Sequence, residues 1–259
     1  MSLDKAGIGR RNLIATAATV TTVLATAPRH ALAGQGHRDI GVFADLPLRA
    51  AMAAASRAYA NAGPGEVAVL ASPATLILAQ IAHNPSADIL VLPQAFMDEA
   101  VRRDFIDPAS RRDSWQNTIV LAVRAGDAAS PGEDLKALVA GASVAVTDPT
   151  VASTLDGQAI ANRLGLAGAA GKIIGVANTD DAVFMLRRGD VRFAIVLATD
   201  LAANPGLKQA AALPSTEPMA YAFALSRRPP SRNAQAFYDF LNTADGHAAL
   251  QRAGLEIAA

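Results

Sequence analysis

The chain has 259 residues and a mass of 26.6 kDa, half of its residues are hydrophobic, and its formal net charge is zero. It is therefore long enough to bury a core without disulfides or metal, and it has no excess positive charge to attract nucleic acid or an anionic membrane. It has no cysteine, which excludes thiolate metal sites, a cysteine nucleophile and a lipid-modified anchor. Its four histidines lack the spacing of metal ligands, so we expect neither a metal nor a cofactor.

The N-terminal segment has the order of an export signal. Arg10 and Arg11 precede an uncharged run at 12–28, and Ala31-Leu32-Ala33 offers small residues at both positions of a cleavage site. An arginine pair before a mildly apolar run is typical of twin-arginine signals, which export folded proteins. The alternative is an uncleaved anchor, but this run includes five threonines and is shorter than the roughly 20 apolar residues of a spanning helix. We therefore predict that residues 1–33 are removed and that the product is periplasmic, with no membrane insertion.

The rest of the chain alternates short apolar runs with helical patterns. The first set of predicted strands is 39–44, 67–70 and 88–92, and its helices are 48–60, 73–83 and 94–103. After a linking strand at 119–123, the second set of strands is 143–146, 172–174 and 193–197, and its helices are 134–139, 157–164 and 180–188. The last predicted elements are a strand at 219–225, antiparallel to the one at 119, and helices at 233–242 and 246–252.

This alternation predicts an α/β protein of two lobes, each a mostly parallel sheet flanked by helices, with two hinge crossings between them. The first lobe is expected to span 38–117, with 220–259 returning to it, and the second to span 125–213. Four large aromatic residues are spaced as core or interface residues and not as a base-stacking platform; they are Tyr59, Trp115, Tyr221 and Tyr238.

The order of several short motifs resembles the periplasmic molybdate-binding proteins of bacterial ABC transporters. The motifs near the start are Val42-Phe43-Ala44, Thr75-Leu76, Ala87-Asp88-Ile89 and Phe105-Ile106-Asp107-Pro108. The later ones are Asp148-Pro149, Ala198-Thr199-Asp200 and Ala236-Phe237-Tyr238-Asp239-Phe240. Together they cover residues 39–255, which is nearly all of the predicted mature chain.

The resemblance implies a monomeric solute-binding protein that closes its two lobes over a small-molecule or oxyanion ligand and delivers it to an ABC permease. Relatives hold a tetrahedral dianion with hydroxyls and backbone N–H groups at strand-to-helix turns. Because ligands of open α/β sheets bind at these turns, we expect the cleft to be lined by Asp45, Leu46, Ser72, Thr75, Ser153, Thr154, Thr179 and Leu197.

The sequence departs from the family pattern at several of these turns. The family's first serine falls on Pro47, which has neither a hydroxyl nor an N–H, and Pro73 follows Ser72 in the second turn. The family's late tyrosine falls on Leu197, and Asp45 adds a negative charge. The backbone N–H donors near Ser153 and Thr179 remain, so the resemblance implies an altered site in which molybdate, tungstate and sulfate bind poorly.

We considered three functions. The leading interpretation is a solute-binding component of an uptake system, and the second is a degenerate binding protein that acts as a sensor or recruits a partner. The third is an exported hydrolase that uses Asp45 and Asp148, but the chain lacks the motif of an activated nucleophile. No catalytic residue is therefore predicted.

Overall fold

The computed structural model describes residues 40–128, 134–148, 155–214, 216–228 and 230–258. The elements of the first lobe, before the chain first leaves it, are β1 (Ile40–Asp45), α1 (Arg49–Tyr59), β2 (Val67–Ser72), α2 (Ala74–His83), β3 (Ile89–Pro93), α3 (Gln94–Arg102) and β4 (Arg112–Asn117). Short 3-10 turns lie at Leu46–Leu48 and Pro108–Ser110.

The second lobe begins directly after β4. Its elements are β5 (Ile119–Arg124), α4 (Leu135–Val139), β6 (Ser143–Thr147), α5 (Gly157–Arg163), α6 (Leu166–Ala169), β7 (Lys172–Val176), α7 (Thr179–Arg188), β8 (Phe193–Leu197), α8 (Ala198–Ala203) and β9 (Leu207–Ala212). The chain then returns to the first lobe with β10 (Met219–Leu225), α9 (Arg232–Phe240), α10 (Ala244–Arg252) and β11 (Glu256–Ile257).

Two sheets form within the described residues. The first has the strand order β11-β4-β10-β3-β1-β2 and the second has the order β7-β6-β8-β5-β9. In each sheet a central strand lies between two parallel neighbours, β1 between β2 and β3, and β6 between β7 and β8. The other strand pairs are antiparallel. This confirms the two-lobed α/β fold, and both lobes belong to one compact unit, Gly36–Ala259.

The parallel pairing brings the turns that follow neighbouring strands together. Asp45 pairs with Ser72 at the ends of β1 and β2, and Thr147 pairs with Val176 at the ends of β6 and β7. Because parallel strands end at one edge of a sheet, the segments after them share that edge.

The late strand belongs to the first sheet. β10 lies between β3 and β4 there, whereas β5, the strand that begins at Ile119, pairs with β8 and β9 in the second sheet. The chain therefore crosses between the two sheets twice. The pattern of apolar and polar residues in the sequence did not predict β4, β9, α8 or the two-residue β11.

Each lobe is built around apolar side chains on both faces of its sheet. In the first lobe Trp115 stacks on Phe223 with ring centroids 4.5 Å apart, and Tyr59 packs edge-on against Phe237. The four aromatic residues that we predicted to be core or interface residues are all buried in the first lobe. No helix among the described residues is long and apolar enough to cross a membrane.

Helix α7 shows how local sequence sets an element boundary near the cleft. The side chain of Asn178 accepts a hydrogen bond from the backbone N–H of Asp181, which caps the first turn. Acidic residues stand in the first turn and arginines in the last, as the helix dipole favours. Gly189 ends the helix in the left-handed conformation with φ 81°. Asp180 and Asp181 are therefore placed where acidic residues stabilise the start of a helix.

Candidate functional site

A cleft of about 330 Å³ lies between the two lobes. On the first-lobe side it is lined by the 3-10 turn after β1 and the start of α1, and on the second-lobe side by α7 and α8. The lining residues are Leu46, Pro47, Arg49, Ala50, Asp180, Val183, Phe184, Arg187, Thr199, Asp200, Ala203 and Asn204. We call this space the interlobe cleft.

An ion pair spans the cleft near its opening. The guanidinium of Arg49 in α1 lies 2.6 Å from the carboxylate of Asp180 in α7. Both side chains are about half exposed, so the pair is screened by water and contributes little to stability, about 0–1 kcal/mol. Its position, with one partner in each lobe, means that opening the cleft must separate the two charges.

A buried polar contact also joins the lobes. The hydroxyl of Thr199 in α8 donates to the backbone carbonyl of Pro47 at 3.2 Å. The same hydroxyl accepts from the side-chain amide of Asn117 at 2.8 Å, and the amide oxygen of Asn117 accepts from the Thr199 N–H at 3.3 Å. Thr199 and Asn117 are fully buried, so these bonds form in a poorly solvated environment where unpaired polar groups are costly.

Asp200 supplies a buried carboxylate to the same region. It accepts from the backbone N–H of Leu197 at 2.9 Å and from the hydroxyl of Thr179 at 3.3 Å. Burial raises the pKa of Asp200 to about 6; these two hydrogen bonds and the charge of Arg49 oppose the shift, while the charge of Asp180 adds to it. The carboxylate of Asp200 thus titrates well above an ordinary aspartate, and it accepts hydrogen bonds from two predicted site residues.

Asp45, the last residue of β1, is also buried, with 1% of its surface exposed. Its carboxylate accepts from the backbone N–H of Ala74, the first residue of α2, at 3.1 Å, and from the hydroxyl of Tyr221 at 3.3 Å. Burial raises the pKa of Tyr221 well above its ordinary value, and the charge of Asp45 adds to this shift. Tyr221 therefore stays protonated at neutral pH, and its hydroxyl donates a hydrogen bond to the Asp45 carboxylate.

The predicted site residues of the first lobe are distributed over more than one surface. Leu46 lines the interlobe cleft, and Ser72 is partly exposed beside Asp45. Thr75 instead lines a separate groove of about 480 Å³ between α2 and α3. Asp45 lies beneath the surface rather than on it.

The two described second-lobe residues that we predicted for the site, Thr179 and Leu197, both donate hydrogen bonds to Asp200. Thr179 is buried, with its hydroxyl on that carboxylate, and the side chain of Leu197 lies in the apolar core while its N–H donates to the same group. Ser153 and Thr154 lie outside the described residues, so their place in the cleft stays a prediction.

Several residues at or beside the cleft were not identified from the sequence as site residues. Arg49 carries no local motif, and neither does Asn117, which is bonded to Thr199. Thr199 and Asp200 were visible as part of the family motif Ala198-Thr199-Asp200, which was the one available signal for them.

Comparison with known proteins identifies the family of this chain. The family of bacterial extracellular solute-binding proteins matches residues 40–256. The chain belongs to this family, whose members are binding proteins rather than enzymes. A search of curated proteins gives no match.

Solved structures share the fold at low sequence identity. A periplasmic molybdate-binding protein from Azotobacter vinelandii aligns with a TM-score of 0.73 and 15% identity, over 85% of this chain and all of that one. The substrate-binding domain assigned to a molybdenum ABC transporter of Clostridium difficile aligns with a TM-score of 0.68 and 17% identity, over 84% and 98%. The sulfate-binding protein SubI from Mycobacterium tuberculosis aligns with a TM-score of 0.66 and 16% identity, over 85% and 87%. These similarities show that the chain has the fold of these periplasmic binding proteins.

Proposed function

We propose that this protein is the periplasmic solute-binding component of an ABC-type uptake system and that it holds its ligand in the interlobe cleft. The observation that carries the proposal is the cleft itself, a concave space lined by charged and apolar side chains from both lobes. Membership of the extracellular solute-binding family supports it, as does the transporter named for the Clostridium difficile relative. The partner in this proposal is a permease, and the protein acts as a monomer after residues 1–33 are removed.

The ligand differs from a simple oxyanion. Pro47 offers the cleft a carbonyl that is already bonded to Thr199, and it has no N–H to donate. The side chain of Leu197 is buried in the core, and the hydroxyl of Thr179 is used by Asp200. A deeply desolvated dianion loses roughly 1.5–3 kcal/mol for each missing charged hydrogen bond, so molybdate, tungstate and sulfate are expected to bind weakly.

The mixed charges of the cleft favour a ligand with both polar and charged groups. Two arginines, Arg49 and Arg187, and two aspartates, Asp180 and Asp200, line it, and the exposed ring of Phe184 offers an apolar surface. A small organic solute that carries a cationic or neutral group together with an anionic one fits this lining better than a spherical dianion does.

A ligand-dependent thermal shift tests the proposal. The processed protein is heated in the presence of amino acids, polyamines, organic acids, sugars, molybdate, tungstate or sulfate. A solute that binds only the folded state at a hundred times its Kd adds about 2.7 kcal/mol of stability and raises the Tm. We expect stabilisation by one class of organic solute and little by the oxyanions.

A matched pair of variants assigns the binding to the cleft. Asp180→Asn removes the cleft carboxylate that pairs with Arg49, whereas Asp190→Asn removes the one that pairs with Arg188 at 3.1 Å, away from the cleft lining. Only the first should reduce the ligand-induced shift. Equal effects of the two variants would contradict binding in the cleft, and a complete lack of stabilising solutes would favour the degenerate sensor or recruiting module.

A further inference from the structure

Helix α7 presents two opposite charges to the interlobe cleft, with an apolar surface between them. Its cleft-lining residues recur every three or four positions and therefore share one face of the helix; they are Asp180, Val183, Phe184 and Arg187. The rise of about 1.5 Å per residue places the Cα atoms of Asp180 and Arg187 about 10 Å apart along the helix axis. Between them lie Val183 and the ring of Phe184, which is 58% exposed.

The two charges at the ends of this face differ in how they are paired. Asp180 forms its ion pair with Arg49 across the cleft. None of the ion pairs within the described residues includes Arg187. The other cleft carboxylate, Asp200, has both of its oxygens bonded to donors of the second lobe. Arg187 is thus a cleft cation whose charge no carboxylate of the described residues balances.

The side chain of Asn204 orients Arg187 without neutralising it. The amide nitrogen of Asn204 donates to the backbone carbonyl of Asp200 at 2.8 Å, and its amide oxygen accepts from the guanidinium of Arg187 at 3.4 Å. An amide carries no charge, and a guanidinium has five N–H donors, of which this long bond uses one. The remaining donors of Arg187 suit a planar carboxylate, which accepts two parallel bonds from a guanidinium.

We propose that Arg187 selects the ligand by binding the carboxylate of a small organic acid whose apolar body lies against Val183 and Phe184. This inference rests on the proposed function, and it narrows the ligand class to monocarboxylates with an aromatic or branched aliphatic body. A second carboxylate is disfavoured, because Arg49 is already paired and Asp180 would repel it. The cleft volume of about 330 Å³ is near the lower end of the range for small-molecule sites, about 300–1,000 Å³, so the acid is small.

Matched acids and amides test the recognition of the carboxylate. Calorimetry at neutral pH and low salt measures the Kd of benzoate, phenylacetate and isovalerate, of the amides of these three acids, and of succinate. Each amide keeps the shape of its acid but lacks the charge, so the wild type should bind it about tenfold or more weakly than the acid, as expected for the loss of charge-assisted hydrogen bonds. Succinate, which has two carboxylates, should bind more weakly than the three monocarboxylates.

Three variants assign this preference to residues. Arg187→Gln removes the charge, so it should weaken binding of the acids about tenfold or more and change binding of the amides by less than about threefold. Asn204→Ala should lower the ratio of acid to amide affinity by a smaller factor, whereas a purely structural role would weaken both probes equally. Arg163→Gln is the matched control, because Arg163 also makes a 3.4 Å bond to a neutral oxygen, that of Thr216, and does not line the cleft. It should bind acids and amides as the wild type does, and circular dichroism verifies that each variant is folded.

The outcomes distinguish this inference from the proposed function. If a solute without a carboxylate stabilises the wild type and the acids do not bind, the inference is overturned and the proposed function stands. Acids that bind no better than their amides, or equal effects of Arg187→Gln and Arg163→Gln, would also overturn the inference alone. If no solute of any class binds, the proposed function fails together with the inference. If Arg187→Gln does not fold, the comparison of acids with amides in the wild type decides.

Discussion

Replacing Thr199 with valine should weaken the junction between the lobes. Valine has the same shape but no hydroxyl, so the variant loses the bond to the Pro47 carbonyl at 3.2 Å and the bond from the Asn117 amide at 2.8 Å. A neutral hydrogen bond contributes about 1 kcal/mol, and a buried polar group left without a partner costs about 1–3 kcal/mol. Because Asn117 and Thr199 are fully buried, we expect the free energy of unfolding to fall by about 2–4 kcal/mol.

Equilibrium unfolding in urea measures this effect. Fluorescence of Trp115, the sole tryptophan, reports on the first lobe, and far-UV circular dichroism reports on both lobes. Because the lost bonds join the lobes, the urea midpoint measured by fluorescence and the urea midpoint measured by circular dichroism should differ in the variant. Thr199→Ser keeps the hydroxyl and should lose less than Thr199→Val. Thr216→Val is the control, since the hydroxyl contacts of Thr216 are long, at 3.4 and 3.5 Å, and exposed. A loss below about 0.5 kcal/mol in Thr199→Val would refute the buried junction.

Three further predictions follow from the chain. Burial raises the pKa of Asp200 to about 6, whereas an unfolded aspartate titrates near 3.9. The free energy of unfolding should therefore fall by up to about 3 kcal/mol as pH rises from about 4 through 6. Urea unfolding of Asp200→Asn at a series of pH values should lack this pH dependence. Gly254→Ala should lower the free energy of unfolding by about 2 kcal/mol or more, because φ of Gly254 is 93° and the added Cβ would lie 2.7 Å from a carbonyl oxygen of α8. Gly206→Ala is the control, since a Cβ added there meets nothing within 4 Å and should have little effect in the same assay. Replacing Arg10 and Arg11 with lysine should stop export, and immunoblots of periplasmic fractions that still contain the processed variant would contradict a twin-arginine signal.

The sequence alone determined the fold class and most element positions. Strands such as β8, Phe193–Leu197, are fully apolar runs, because they are buried on both faces of a sheet between helices. Helix ends were readable where capping residues are local, as with Asn178 before α7. The strand prediction failed where strand-forming residues are sparse. The sequence of β4 is RDSWQN, and this segment is a strand because β10 and β11 pair with it.

The tertiary structure decided which predicted residues form the site and which lie in the core. Leu197 follows four apolar residues in β8 and was predicted to line the cleft, but its side chain packs in the core and its N–H donates to the carboxylate of Asp200. The contacts that define the cleft join positions far apart in sequence, such as Arg49 with Asp180 and Thr199 with Pro47. No local pattern encodes such pairs, because their geometry depends on how the two sheets are oriented. Local sequence therefore predicts most of the elements, whereas the packing of the lobes determines which charges meet.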